Sequence, residues 1–281
     1  MNAFGGASVR EALDSAVIAI AAAGSDTPRL DAEVLLADVL GVDRTTLFTH
    51  PEREVKGPAV RAFQDAVRRR SAGREPVAYI TGRRGFRHLE LAVDERVLVP
   101  RPETELLVEV GLAHLAQGAR VVDVGTGSGA VALALASERP DLEVLATDIS
   151  ADALEVARAN ATRLGLGDAV TFHQGDLLAG VRQVDAVLCN PPYVAERERA
   201  SLAPEITQHE PPGALFAGED GLDVIRRLVP AAAAAGARLL AIELGEGQAA
   251  AVAQLMHANG FVSVHARADL AGIERVVVGT R

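Results

Sequence analysis

The 281-residue chain is long enough for two domains, and at 49% hydrophobic and 23% charged it has the composition of a folded protein, not a disordered one. With 28 basic against 38 acidic residues its formal charge is −10, which argues against tight, non-specific nucleic-acid binding and suits a protein partner or a small substrate. The single cysteine, Cys189, excludes an intramolecular disulfide, and the scattered histidines show no metal-ligand spacing.

Residues 8–72 read as helices. Val9, Leu13, Ala16, Val17 and Ile20 share one face at helical spacing, and Gly24 ends that run. Pro28 opens a second helix carrying Leu30, Val34, Leu35 and Val39, which Gly41 closes. Pro58 starts a third, with Val60, Phe63 and Val67 on a stripe. Arg68, Arg69 and Arg70 at its end are either a solvated helix terminus or a contact for a partner. A helical domain is therefore expected over residues 1–75. From 77 to 99 the pattern changes: residues 85–93 alternate apolar and polar, as in a β-hairpin linking two domains, so a linker is expected over 76–100.

From 101 to 281, strands and helices alternate. Strands are expected at 120–124, 143–147, 170–173, 185–189, 238–243, 261–265 and 274–278, with helices at 130–137, 151–164, 222–235 and 248–259. That order specifies an α/β fold with a doubly wound, Rossmann-like sheet. The Ala-rich run 229–242 is broken by Pro230, Gly236 and Arg238, so it is no membrane span. The N-terminus lacks a charged stretch followed by an apolar one, so no signal peptide is expected and the cytoplasm is the expected location.

The first strand runs into Asp123, Val124, Gly125, Thr126, Gly127, Ser128 and Gly129, and a helix follows. Glycines let a backbone turn tightly and approach a ligand. Asp148 closes the next strand, where a carboxylate can accept both ribose hydroxyls of a nucleoside. The loop lacks the full spacing of a pyrophosphate binder and the lysine of a P-loop, so a nucleoside with an amino-acid tail fits better than a dinucleotide. Asp176 and Leu177 follow the third strand; Asp176 either accepts from an adenine amino group or serves as a local cap.

The strand 185–189 delivers Asn190, Pro191, Pro192 and Tyr193 at its carboxyl end, the edge where open α/β sheets bind ligands. The prolines remove donors and stiffen the turn, leaving the carbonyls of Asn190 and Pro191, the Asn190 side-chain oxygen and the flat face of Tyr193. Two acceptors gripping the two N–H groups of an amide or an exocyclic amine would aim its delocalised nitrogen at a methyl donor and stabilise the positive charge that develops. The transfer is an in-line displacement at a sulfonium methyl and needs no metal. Cys189 reads as a buried structural thiol.

With these motifs the chain resembles the class I S-adenosylmethionine methyltransferases, and more closely the protein-(glutamine-N5) methyltransferases that modify bacterial peptide chain release factors. The resemblance spans nearly the whole chain, through residues 75–82, 97–105, 123–129 and 190–193, Glu210-Pro211, Ala214-Leu215, residues 220–222 and residues 269–272. The stretch 100–105 discriminates, because adenine methyltransferases that share the Asn-Pro-Pro-Tyr motif are not expected to carry it. The resemblance implies a seven-stranded methyltransferase domain whose last strand is antiparallel, and S-adenosylmethionine as cofactor, held by Gly125, Thr126, Gly127, Ser128, Gly129, Asp148 and Asn190; Asp176 and Leu177, from their place on the same sheet edge, are expected to join that cofactor site. It implies that the glutamine of the Gly-Gly-Gln motif of class I release factors lies against Asn190, Pro191, Pro192 and Tyr193, with Asn190, Pro191 and Tyr193 catalytic. It also implies that the helical domain docks the factor. A monomer with no direct nucleic-acid contact is expected. Gly85 departs from the family's usual acidic residue before the hairpin phenylalanine. Arg101, Glu103 and Glu105 either complement a helix dipole or roof the cofactor pocket.

Two other targets suit the same nitrogen grip: a ribosomal-protein glutamine, and a nucleic-acid adenine N6, which would have to be flipped out or single-stranded. The net charge and the lack of a basic recognition domain count against the adenine. A cofactor-binding regulator without turnover would have no need of Asn190.

Overall fold

The first helix, α1 (Val9–Ala22), begins at a reciprocal cap: Ser8 Oγ accepts from Glu11 N at 3.2 Å, and Glu11 Oε2 accepts from Ser8 N at 2.8 Å. Pro28 starts α2 (Pro28–Leu40), and Gly41, at φ +62°, ends it in the left-handed conformation. Then come α3 (Arg44–Thr49), α4 (Pro58–Ser71) and α5 (Val77–Thr81). Val9, Leu13, Ala16 and Ile20 meet Leu35, Leu36, Leu47 and Phe63 in one core. The six residues of α3 are too few to show a period, so the sequence pattern did not reveal them. The ribbon expected from residue 77 starts later, because residues 77–81 coil and Gly82, at φ +70°, stops them.

The structure, a computed structural model, describes residues 7–281. After Gly82 the chain forms the antiparallel hairpin β1 (Arg83–Phe86) and β2 (Leu89–Ala92). A 3-10 turn at Pro102–Thr104 leads into α6 (Glu105–His114), followed by β3 (Arg120–Val124), α7 (Ala130–Glu138), β4 (Glu143–Asp148), α8 (Ala151–Arg163), β5 (Val170–Gln174) and β6 (Ala186–Cys189). The remaining elements are α9 (Pro204–His209), α10 (Asp223–Ala234), β7 (Leu239–Glu243), α11 (Ala249–Ala258), β8 (Ser263–Ala268) and β9 (Glu274–Thr280).

Seven strands form one sheet in the order β5-β4-β3-β6-β7-β9-β8, parallel except for β9, which runs antiparallel to β7 and β8. Strand residues alternate between two cores, one on each face of the sheet. Val121, Val144, Ala186, Leu188 and Val278 pack with α6 and α7. Val122, Leu145, Val187, Ile242 and Val277 pack with α10 and α11. Strand order reverses at β3, whose neighbours β4 and β6 lead away on opposite sides, and this switch point opens the carboxyl edge of the sheet to a ligand.

The contacts group the chain into two units, one running to Gly82 and taking in Ala203–His209, the other comprising Arg83–Leu202 and Glu210–Arg281. Sequence patterning placed boundaries at 75 and 100 instead. It groups neighbours and is blind to charge pairing across the chain. Arg70, on α4, donates to Asp31 Oδ2 at 2.6 Å and to Glu205 Oε1 at 2.6 Å, and Arg74 donates to Glu205 Oε2 at 2.6 Å. Arg70 is buried, so the arginine cluster is no simple solvated helix end; Arg69 is likewise paired, with Glu75.

Candidate active site

The glycine loop after β3 is shaped by two carboxylates. Asp123 Oδ2 accepts from Thr126 Oγ1 at 2.6 Å and from Ala132 N at 3.1 Å, so it ties the loop to the first turn of α7. Asp123 is 2% exposed, and burial pushes its carboxyl up to about 6 despite those two donors. Asp148, at the end of β4, accepts from Gly127 N through Oδ2 and from Ser150 N through Oδ1, each at 2.9 Å. Burial raises the Asp148 carboxyl as well. Gly129 needs its glycine: φ is +87°, and a Cβ would lie 2.8 Å from Leu133 Cδ1.

A buried asparagine joins this loop to the hairpin. Asn160 Nδ2 donates to Ser128 O and Ala92 O, each at 2.9 Å, and Asn160 Oδ1 accepts from Ala92 N at 2.7 Å. Leu177 sits at φ +53°, a conformation uncommon for a side-chain-bearing residue, and its carbonyl accepts from Thr147 Oγ1 at 3.0 Å. Asp176 is paired with Arg227 of α10.

At the end of β6, Asn190 Nδ2 donates to Thr104 Oγ1 at 3.0 Å. Among the described residues nothing donates to Asn190 Oδ1 or to the carbonyls of Asn190 and Pro191. The Tyr193 hydroxyl donates to Glu243 Oε1 at 3.4 Å. Burial, with Glu243 beside it, raises the phenol well above its ordinary range. Behind this turn, Gln248 Nε2 donates to Tyr193 O at 3.0 Å and to Asp220 O at 3.3 Å. Gly221, at φ +77°, passes so close that a Cβ would lie 2.1 Å from Tyr193 O. Arg101 Nη2 reaches Glu210 Oε2 at 2.6 Å.

Between the two loops lies a cavity of about 450 Å³, in the size range of cofactor and small-ligand sites. Gly125, Thr126, Gly127, Ser128, Asp148, Asp176, Leu177, Asn190, Pro191 and Pro192 line it, whereas Gly129 and Tyr193 do not. Gly129 turns the chain into α7, and the Tyr193 hydroxyl is drawn to Glu243. Sequence reasoning did not single out Asn160, Ile149 or Glu243. Glu243 had a usable signal, a carboxylate closing an otherwise apolar strand; Ile149, 70% exposed beside Asp148, had none beyond position. In the stretch 100–105, Pro100 and Thr104 line the cavity, Arg101 binds Glu210, and Glu105 Oε1 accepts from Arg87 N at 2.9 Å.

A sheet of this order, with a glycine loop, an acidic strand end and an Asn-Pro-Pro-Tyr turn at its switch point, defines a class I methyltransferase. The fold is shared with the hMettl16 catalytic domain, solved in complex with MAT2A 3'UTR hairpin 6, at a TM-score of 0.56 and 19% identity over 80% of this chain and 82% of that one. Residues 102–216 match the methyltransferase small domain, and residues 11–82 the PrmC N-terminal domain. The release factor glutamine methyltransferase of Xylella fastidiosa (strain Temecula1) is 45% identical, with 95% of this chain and 98% of that protein covered. That of Koribacter versatilis is 41% identical over 97% and 98%. The chain belongs to the release factor glutamine methyltransferase family.

Proposed function

We propose that the protein transfers the methyl group of S-adenosylmethionine to the side-chain amide nitrogen of the glutamine in the Gly-Gly-Gln motif of class I peptide chain release factors. The observation that carries this reading is the set of unengaged acceptors at one end of the cavity: Asn190 Oδ1 and the carbonyls of Asn190 and Pro191. The cavity residues suit the cofactor. Asp148 provides carboxylate oxygens for a ribose, the loop around Gly125, Thr126, Gly127 and Ser128 provides close backbone approach for an amino-acid tail, and Asp176 and Leu177 flank the adenine side. When bound, the sulfonium supplies an electrophilic methyl group.

The chain's own residues do the rest. Asn190 Oδ1 accepts one N–H of the substrate amide and the Pro191 carbonyl accepts the other, which fixes the plane of the amide and aims its lone pair. Both acceptors carry partial negative charge, so they stabilise the positive charge that grows on nitrogen in the transition state, and the nitrogen returns to neutrality by releasing one of its two N–H protons to water. Pro192 and Tyr193 complete the substrate side, with Tyr193 anchored on Glu243. The helical unit docks the release factor in this reading. A photo-crosslinker at Phe48, which is 55% exposed, should trap it, and no adduct from any exposed position of that unit would remove its docking role.

Labelled S-adenosylmethionine offered with a release factor, its Gly-Gly-Ala variant, ribosomal proteins and single-stranded nucleic acid tests the reading. One methyl on the factor, absent from the Gly-Gly-Ala variant, is the expected result. Label on a ribosomal protein or on nucleic acid instead would overturn the assigned target.

A further inference from the structure

Asn190 must present an oxygen, not a nitrogen, to a substrate amide, yet a carboxamide can turn over and exchange the two. What holds it is Thr104, whose hydroxyl accepts from Asn190 Nδ2 at 3.0 Å. A hydroxyl has one proton to give, and its direction decides which face of the amide Thr104 can tolerate. Thr104 is 4% exposed, and among the described residues its hydroxyl closes no hydrogen bond as a donor; the Glu243 carboxyl, whose charged form that hydroxyl favours, is the acceptor beside it. Glu243 is 1% exposed, and its Oε2 has no closed hydrogen bond of its own. An ionised carboxylate only accepts. The Thr104 proton is therefore drawn to Glu243, Thr104 can only accept from Asn190, and one amide orientation remains, with nitrogen on Thr104 and oxygen free.

We propose that Glu243, acting through Thr104, is a positioning residue that sets the orientation of the Asn190 carboxamide and so makes Asn190 an acceptor. This rests on the substrate-amide reading of Asn190 given above. The same carboxylate receives the Tyr193 hydroxyl, so one buried group orders both side chains of the Asn-Pro-Pro-Tyr turn. The groups facing it are Thr104 and Glu103 from the 3-10 turn, Tyr193 from the turn after β6, Cys189 at the end of β6 and Arg275 from β9. Burial, reinforced by Glu103 and opposed by Thr104, Tyr193 and Arg275, pushes the Glu243 carboxyl up to about 7. Below that pH the protonated acid can itself donate, and the direction of the Thr104 proton is no longer dictated.

Three variants test the relay. Thr104→Val keeps the shape and removes the hydroxyl; kcat should fall about 10–100-fold, the scale of a misaligned reacting group, with S-adenosylmethionine affinity unchanged. Thr104→Ser, which restores the hydroxyl, should return kcat to within about threefold. The wild type should lose kcat as the pH falls through about 7, and Glu243→Gln should lower kcat and also abolish that acid limb. A Thr104→Val enzyme with wild-type kcat, or a Glu243→Gln enzyme with the wild-type pH profile, would overturn the proposal. A second readout needs no substrate: proton exchange of the Asn190 side-chain NH₂ by NMR, expected to be slow in the wild type and fast in Thr104→Val. Equal exchange in the two overturns the relay whatever the substrate. Protection lost in Thr104→Val, in a protein that leaves release factors unlabelled, would keep the relay and sink the target instead.

Discussion

On the glycine-loop wall of the cavity the working groups are backbone: Gly127 N is held on Asp148, Ser128 O on Asn160, and Asp123 pins the loop to α7. On the wall at residues 190–192 they are a side chain and two carbonyls whose acceptor capacity is left open. The first wall is satisfied internally and offers shape. The second is left short of donors and offers chemistry. A donor whose nucleoside and amino-acid parts keep their shape through the reaction suits a rigid backbone cradle, whereas a nitrogen that must gain charge during the reaction suits acceptors that have no other partner.

The difference can be broken most sharply at Asn190. Asn190→Ala removes the side-chain acceptor and should lower kcat by about 10³-fold or more, the scale of losing one transition-state hydrogen bond in a dry site, while cofactor affinity by calorimetry and the melting temperature hold. Near-normal methylation would end the argument for the acceptor wall. On the loop wall the corresponding test is Asp123→Asn. The folded Asp123 binds its proton more tightly than the unfolded chain does, with its carboxyl at about 6 against 3.8. Its stabilising contribution is thus full below about pH 4 and is lost as the pH rises through 6, a change on the order of 3 kcal/mol. Denaturant melts should show the wild type losing stability relative to Asp123→Asn across that window; parallel curves would mean the carboxylate is not strained by its burial.

Gly221→Ala asks whether the acceptor wall depends on what stands behind it. The new Cβ would meet the Tyr193 carbonyl at 2.1 Å, so the turn must shift, and kcat should drop about 100-fold with cofactor affinity retained. A loss of affinity equal to the loss of rate would show that the two walls move together. The smallest effect is expected at Asp148→Ala, where hydrogen bonds to a charged acceptor are removed and cofactor affinity should weaken by about 1–3 kcal/mol. Unchanged affinity would place the ribose elsewhere.

The sheet and its ligand edge were legible because strands of four to seven residues alternate with helices in one order, and because glycines and prolines mark the two loops. Gly125, Gly127, Asp148 and Asn190 could be named for the same reason: each stands at a strand end, where position alone implies the ligand edge. The sequence offers Tyr193 as a face of the site, and what it could not show is the anchor of its hydroxyl on Glu243, a residue fifty positions away. Asn160 is the clearest loss. In the sequence it is one polar residue on a helix, and only folding brings it between Ala92 and Ser128. Motifs carry what a loop must do locally. Hydrogen bonds across the chain, which decide how a loop is held, leave no spacing to read.

The pairing of Arg70 with Glu205 bears on the order in which the protein can be completed. The two residues are 135 positions apart, so a chain emerging from the ribosome has made all of α1 to α5 long before Glu205 exists. Until then Arg70 is balanced by Asp31, but the carboxylate that it shares with Arg74 is missing, and the cluster of Arg70, Arg74 and Asp31 carries one excess positive charge. The last piece of that unit is thus delivered by the stretch of chain that follows the Asn-Pro-Pro-Tyr turn, so the N-terminal unit cannot be finished before that turn has been synthesised.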